Sequence, residues 1–366
     1  MSEILVPLYR PSLKGNEARY LSECLESSWI SGGKFVIEFE RQFAAKLGGG
    51  NALATCNGTA ALHLAMMALG IGPGDEVIVP TLTFIAPVNA VAYVGATPVF
   101  ADCLPDTWQI DSEDIANRIT SKTKAIVAVH LYGQPCDMDR IMAIARRHGL
   151  RVIEDCAEAF GARYGKNPVA LFGDIAAFSF NGNKTITTGQ GGMVFSRDDA
   201  LIDRCRRLCT QGLVPGKQYW HDRIGYNYLM SNVAAAIGLA QLERSDELLR
   251  LKRQLAEKYF GHLSHLPLEF QREAPGTVHT YWMVSALARN EPERDGFRRH
   301  LAEAGIDTRS LFYPVHTLGI YPHDVRKKTV AEDVAARGLN FPSWPDMSEK
   351  EFALVSDAVE GFFANG

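Results

Sequence analysis

Cysteine is scarce in this chain of 366 residues, and none of its seven cysteines belongs to a CxxC pair. Scattered and odd in number, they argue against a disulfide framework and point to reduced thiols in a cytoplasm. Cys205 and Cys209 lie one helical turn apart, but no histidine cluster accompanies them, so no metal site is expected. An excess of positive charge is missing too: 38 Lys and Arg stand against 42 Asp and Glu, a net charge of −4. That argues against nucleic acid as a partner, though not against a small anion held by a few local donors. No apolar run is long enough to span a bilayer, so no membrane association is expected. The opening "MSEILVPLYRPSLKGNE" has no apolar core of the secretory kind, and a cytoplasmic location is expected. The sequon matches Asn57-Gly58-Thr59 and Asn183-Lys184-Thr185 are then accidental. Internal repeats and low-complexity segments are also missing.

What is present is an ordinary globular composition, 46% hydrophobic and 22% charged, with length for about two domains. Short β-branched runs ("EVIVP", "TPVFADC", "KAIVAVHLYG", "LRVIEDCAEA", "IAAFSF") alternate with helical patterns such as "CDMDRIMAIARRHG". The alternation predicts an α/β fold, a mostly parallel sheet with helices on its faces. After Gly192 the pattern changes. "SNVAAAIGLAQLERSDELLRLKRQLAEKYFGHL" reads as one long helix, capped by Ser231 or Asn232 and supported by an Asp246–Arg250 pair. It would lead from a large domain, residues 1–250, into a smaller α+β domain, residues 251–366.

Ligands bind such sheets beyond the carboxyl ends of the strands. Asp102, His130, Asp155 and the segment from Ser179 to Lys184 all fall there. "TCNGTAALHLAM" opens a helix at Gly58 and Thr59, which is either a plain capping turn or a phosphate site. "GIGPGDE" is followed by a strand, so it is a turn and not a dinucleotide fingerprint. Asp155 ends a buried strand. It needs a positive partner, whether a side chain or a protonated pyridine nitrogen. Glu158 lies three residues on, close enough to support it. Phe84, after "PTLT", is either core or a stacking face for a flat ring. Lys184, in "SFNGNKTITTGQGG", is either a turn residue or a Schiff-base nucleophile whose pKa burial would lower. Together these are the parts needed to hold pyridoxal 5'-phosphate (PLP).

On "WISGGKFVIEFE", "NGTAALHLAM", "GPGDEVIVPTLTFIAPVNAV", "HLYGQPCDM", "VIEDCAEAFGA", "FSFNGNKTITTGQGGM", "GYNYLMSNVAAAIGLAQLE" and "FYPVH", the chain resembles the DegT/DnrJ/EryC1/StrS family of PLP-dependent sugar aminotransferases. The likeness covers essentially the whole length. It implies the PLP fold-type I, aspartate aminotransferase-like architecture. It also implies transfer of an amino group from L-glutamate to a nucleotide-linked keto-sugar. "KTITTG", "QYWHDRIGYNY" and "HTYWMVSA" are most like members that aminate C4 of GDP-4-keto-6-deoxymannose. UDP- or dTDP-linked sugars, amination at C3, and a sugar dehydratase are the alternatives. A dehydratase usually replaces the lysine that Lys184 matches.

By resemblance, Lys184 carries the cofactor and moves protons, Asp155 pairs with the ring nitrogen, Phe84 stacks on the ring and Glu158 lies near the ring hydroxyl. Gly58, Thr59 and Ser179 hold the phosphate, with Asn227 reaching it from the other subunit of a homodimer. Trp29, Ser31, Asn181, Tyr313 and His316 would face the sugar-nucleotide. Asn181, Gln190, Leu229 and Ser310 depart from the family's usual letters.

Overall fold

The computed structural model describes residues 4–321 and 329–364. Nine strands come from the first 196 residues: β1 (Asn51–Thr55), β2 (Glu76–Pro80), β3 (Thr97–Ala101), β4 (Thr123–Val129), β5 (Arg151–Asp155), β6 (Arg163–Tyr164), β7 (Asn167–Pro168), β8 (Ile175–Ser179) and β9 (Gly192–Ser196). Seven form the main sheet, in the order β1-β9-β8-β5-β4-β2-β3. β9 runs antiparallel to both its neighbours, and every other adjacent pair is parallel. The reading of an α/β fold with a mostly parallel sheet holds.

Side-chain alternation sorts the core into layers. Val77, Val79, Val127, Ile153 and Ala177 face α3 (Gly58–Ala68), α4 (Ala86–Tyr93) and α7 (Asp199–Cys209). The alternate positions Ile78, Ile126 and Val152 meet α5 (Ser112–Asn117) and α6 (Met138–His148). Ala176 and Phe178 meet α1 (Glu17–Ser27), α2 (Lys34–Lys46) and α8 (Asn232–Glu243). Both faces are covered, which is why the strands read as continuous apolar runs. Parallel neighbours β5 and β8 need a crossover, and here it carries the β6–β7 hairpin in place of a helix.

The expected single long helix is two. Ser231 caps α8, accepting from the Ala234 amide at 3.2 Å. The chain turns at Arg244 and resumes as α9 (Ser245–Leu263). The Arg244 guanidinium reaches back to Ser12 and forward to Glu247, holding the turn. The Asp246–Arg250 pair does not form, because Asp246 bonds Lys46 at 2.6 Å and Arg250 donates to Gln254.

Beyond α9, β10 (Glu269–Phe270), β12 (Val284–Leu287), β13 (Arg309–Ser310) and β14 (Gly338–Phe341) form an antiparallel sheet in the order β10-β12-β14-β13. The short strand β11 (Thr277–Val278) joins β6 and β7 instead. α9, α10 (Glu291–Glu303) and α12 (Glu349–Ala364) pack with this sheet around Tyr259, Phe297, Phe341 and Phe352. Val6, from the start of the chain, bridges Ile306 and joins the same core. Asp102 is an anchor between the two sheets. Its carboxylate accepts from the Val330 and Ala331 amides at 2.9 Å, at the start of α11 (Val330–Arg337).

Candidate active site

Loops from the carboxyl ends of β1, β2, β5 and β8 converge on a cavity of about 370 Å³. Trp282, Arg309, Ser310 and Asn340 close it from the second sheet. Each loop delivers its groups for a local reason. After β1, the Asn57 side chain accepts from the Ala60 amide at 2.8 Å, which fixes the start of α3. The first two amides of the helix, those of Gly58 and Thr59, then stand at the cavity with Ser179 beside them. A Cβ on Gly58 would lie 2.8 Å from the Ser179 Cβ, and one on Gly192 only 2.5 Å from the Asn57 carbonyl carbon. This corner admits glycine only, because the backbone itself forms the cradle.

After β2 come Thr83, whose buried hydroxyl has no hydrogen-bond partner among the described residues, and Phe84, 54% exposed with its ring 5.6 Å from that of Phe312. After β5, Asp155 is buried, and one of its oxygens accepts from the Ala157 amide at 3.0 Å. Burial raises its carboxyl above the ordinary range, while Lys184 and His130 pull it back. Burial pushes Glu158 up to about 7, against the pull of Lys184 and the bond it accepts from the Tyr132 amide at 2.8 Å.

Lys184 lies at the centre. Its Nζ is 3.6 Å from Glu158 Oε1 and 3.7 Å from the middle of the Trp282 ring. Burial lowers its pKa below the ordinary lysine value, and Glu158 and Asp155 oppose that shift. The backbone beneath it is pinned: Tyr9 donates to the Lys184 carbonyl at 2.7 Å, and the Trp282 indole donates to the Asn183 carbonyl at 2.6 Å. The outcome is an amine held between an acid and an aromatic face, with little room to turn.

Of the positions expected from the sequence, Gly58, Thr59, Phe84, Asp155, Glu158, Ser179, Asn181 and Lys184 line this one cavity. Gln190 and Ser310 join them. Five others do not. Trp29 and Ser31 are exposed outside it, and Tyr313 is 60% exposed. His316 bonds the Thr81 hydroxyl. Asn227 is exposed in the segment after α7, where it bridges Thr210. Leu229, another departing letter, is 46% exposed and bridges Thr55.

His130 lies behind the cavity. Its Nδ1 accepts from the Cys136 amide at 3.0 Å and its Nε2 faces Glu154 at 3.2 Å. Glu154 in turn accepts from the amides of Ala170, Phe172 and Gly173. These groups and Cys156 lie close together, but they are committed to bracing the crossover after β5. Cys205 and Cys209 are buried in the core beside α3.

No local pattern points to Tyr9, which lies 175 positions from Lys184, or to Thr83 and Arg309. Trp282 stood inside a noted motif, but only the packing reveals that it covers the lysine.

On their own chemistry these groups fit PLP. A helix N-terminus suits a phosphate dianion. The cost of burying the Asp155 charge is relieved by a protonated ring nitrogen. An exposed aromatic face and an unpaired hydroxyl flank the space, and a lysine of lowered pKa faces it. Fold and site together define an enzyme built to work through this cofactor.

The comparisons with known proteins carry this further. Residues 11–360 match the model of the DegT/DnrJ/EryC1/StrS aminotransferase family. The chain is 51% identical to the GDP-perosamine synthase of Escherichia coli O157:H7, over 98% of this chain and 99% of that one. It is 46% identical to the GDP-perosamine synthase of Vibrio cholerae, again over 98% and 99%. Among solved structures, the aminotransferase TlmJ from Streptoalloteichus hindustanus matches with a TM-score of 0.94 at 30% identity, over 99% of both chains. The chain belongs to the DegT/DnrJ/EryC1/StrS aminotransferase family, and its cofactor is PLP.

Proposed function

We propose that the protein transfers an amino group from L-glutamate to C4 of GDP-4-keto-6-deoxymannose, giving GDP-perosamine. The observation that carries this reading is the full-length identity of 51% to a GDP-perosamine synthase, joined to a cavity centred on a buried lysine. PLP, when bound, supplies the electron sink that lets a proton leave the carbon bearing the amine.

The protein's own groups do the rest. The Gly58 and Thr59 amides and the Ser179 hydroxyl bind the phosphate. Asp155 would keep the ring nitrogen protonated, and Phe84 would offer an aromatic face to the ring. Lys184 would take the proton from the donor carbon in one half-reaction and deliver a proton to the sugar carbon in the other, a role that a lysine of lowered pKa suits. Glu158 steadies the amine at 3.6 Å. Arg309, the other cationic side chain lining the cavity, faces the anionic groups of the substrates.

We infer a homodimer that shares its active sites. Tyr219 (92% exposed), Trp220, Ile224 and Leu229 are apolar residues left bare in one segment, and Trp29, Ile30 and Ile37 are bare near the amino end. Apolar exposure of this extent favours burial against another protein surface. Asn227 lies within the first group and outside its own chain's cavity, and we assign it to the phosphate of a neighbour's site. We take α9 as the connection between a large unit and a smaller carboxyl-terminal unit, and the cytoplasm as the enzyme's location. Among the described residues no helix is long and apolar enough to cross a membrane.

The test is to present GDP-, UDP- and dTDP-linked 4-keto-6-deoxyhexoses with L-glutamate and weigh the products. The GDP-mannose-derived ketone is expected to gain the amine fastest. No turnover of that ketone alongside turnover of another removes the perosamine assignment.

A further inference from the structure

Lys252, on α9, is 1% exposed. Lysines this deeply buried ordinarily sit against a carboxylate. Among the described residues Lys252 has no such partner. Its ammonium donates to two backbone carbonyls, of Trp282 at 2.9 Å and of Ser343 at 2.6 Å, and lies 5.5 Å from the middle of the Tyr9 ring. Burial pushes the group down to about 7.

Two of these neighbours also hold the site. The Trp282 ring covers the Lys184 amine at 3.7 Å, and the Tyr9 hydroxyl donates to the Lys184 carbonyl. The Trp282 amide bonds the Tyr132 carbonyl, so three elements meet at this tryptophan. Lys252 has Tyr259 near it on its own helix, with the hydroxyl donating to the Pro342 carbonyl beside Ser343. Tyr9 faces Lys252 from the amino-terminal segment. Arg253, next on its own helix, is turned away to Glu273 and the His279 carbonyl. Lys184, Glu158 and Asp155 lie beyond the indole.

We propose that Lys252 is a positioning residue for Lys184: it fixes the Trp282 carbonyl, and through it the indole that covers the catalytic amine. The fold brings a group from the connecting helix to the back of the active-site wall, where it ties that wall to the second sheet.

Two measurements test this. The first uses apoprotein labelled with 5-fluorotryptophan, with the Trp282 fluorine resonance assigned by its loss in Trp282→Phe. The resonance is expected to move with pH around neutrality, and that step is expected to vanish in Lys252→Met. Any further step from Glu158 or Lys184 should persist. The second follows the single turnover of PLP-loaded enzyme with L-glutamate. Lys252→Met is expected to slow it about tenfold or more, the scale on which small misplacements act. The same change made in Trp282→Phe is expected to add little. A Trp282 resonance that titrates identically with and without Lys252 overturns the proposal. So does a slowing by Lys252→Met that persists in full in the Trp282→Phe background. If Lys252→Met does not fold, Lys252→Gln, which keeps one donor, is read by the same criteria. The fluorine experiment needs neither cofactor nor sugar, so failure of the perosamine assignment leaves it standing.

Discussion

The wall around Lys184 and the segment from Thr210 to Leu229 contrast sharply. The first gathers groups from distant parts of the chain and buries them: Asp155, Glu158, Thr83 and Trp282 are all nearly closed to solvent. The second is continuous in sequence and bare, with Tyr219, Trp220 and Ile224 each more than half exposed. The groups named in the first all come from a single chain. The second exposes aromatic and aliphatic side chains among charged ones such as Lys217, Asp222 and Arg223. The contrast separates a cavity wall drawn from one chain from an apolar surface that the proposed homodimer would cover.

The largest expected effect breaks the buried region at its centre. Lys184→Ala should lower turnover by about 10⁴-fold or more, since it removes both nucleophile and proton carrier. Steady-state rates with L-glutamate check this. Asp155→Asn should follow at about 10²–10³-fold, the scale of one lost electrostatic partner. Its visible absorption should shift as the ring nitrogen loses its proton.

The exposed region is tested by mixing. Asn227→Ala should weaken cofactor retention about tenfold, roughly one lost hydrogen bond to a charged group. Co-refolded with the inactive Lys184→Ala, it should turn over at lower PLP concentration than Asn227→Ala alone, because one mixed site keeps both residues. No such gain in demonstrated mixed dimers would return Asn227 to its own chain. Gly58→Ala should cost about 1–3 kcal/mol through its clash with Ser179, seen as a lower Tm.

A further effect, read in stability and not in turnover, concerns pH. Glu158 binds its proton more tightly in the folded protein, at about 7 against 4.5. The stability it contributes is therefore full below about 4.5 and is lost as pH rises through 7. The Tm of the apoprotein relative to Glu158→Gln should fall across that window and level off above it.

Much of this was legible in the sequence. The strand runs, the glycine-opened helix and the residues at strand ends placed the cofactor wall, because parallel sheets put their loops on one side. The break at Arg244 was hidden by a helical pattern that runs on across it, with Ser245 and Asp246 as weak local signs, and the turn is held by the Arg244 bonds to distant Ser12 and to Glu247 one turn on. Tyr9 and Trp282 escaped for a related reason: they act through side chains that meet Lys184 only after both sheets have packed. Trp29, Ser31, Tyr313 and His316 were placed near the substrate by resemblance, and within one chain they do not reach the cavity.

The most direct measurement is reduction of the PLP-loaded protein with borohydride, followed by peptide mapping. The phosphopyridoxyl group is expected on Lys184 and not on Lys252, which is also buried with a lowered pKa. Label on Lys252, or a protein that retains the cofactor with Lys184 unmodified, would remove Lys184 from the centre of the site.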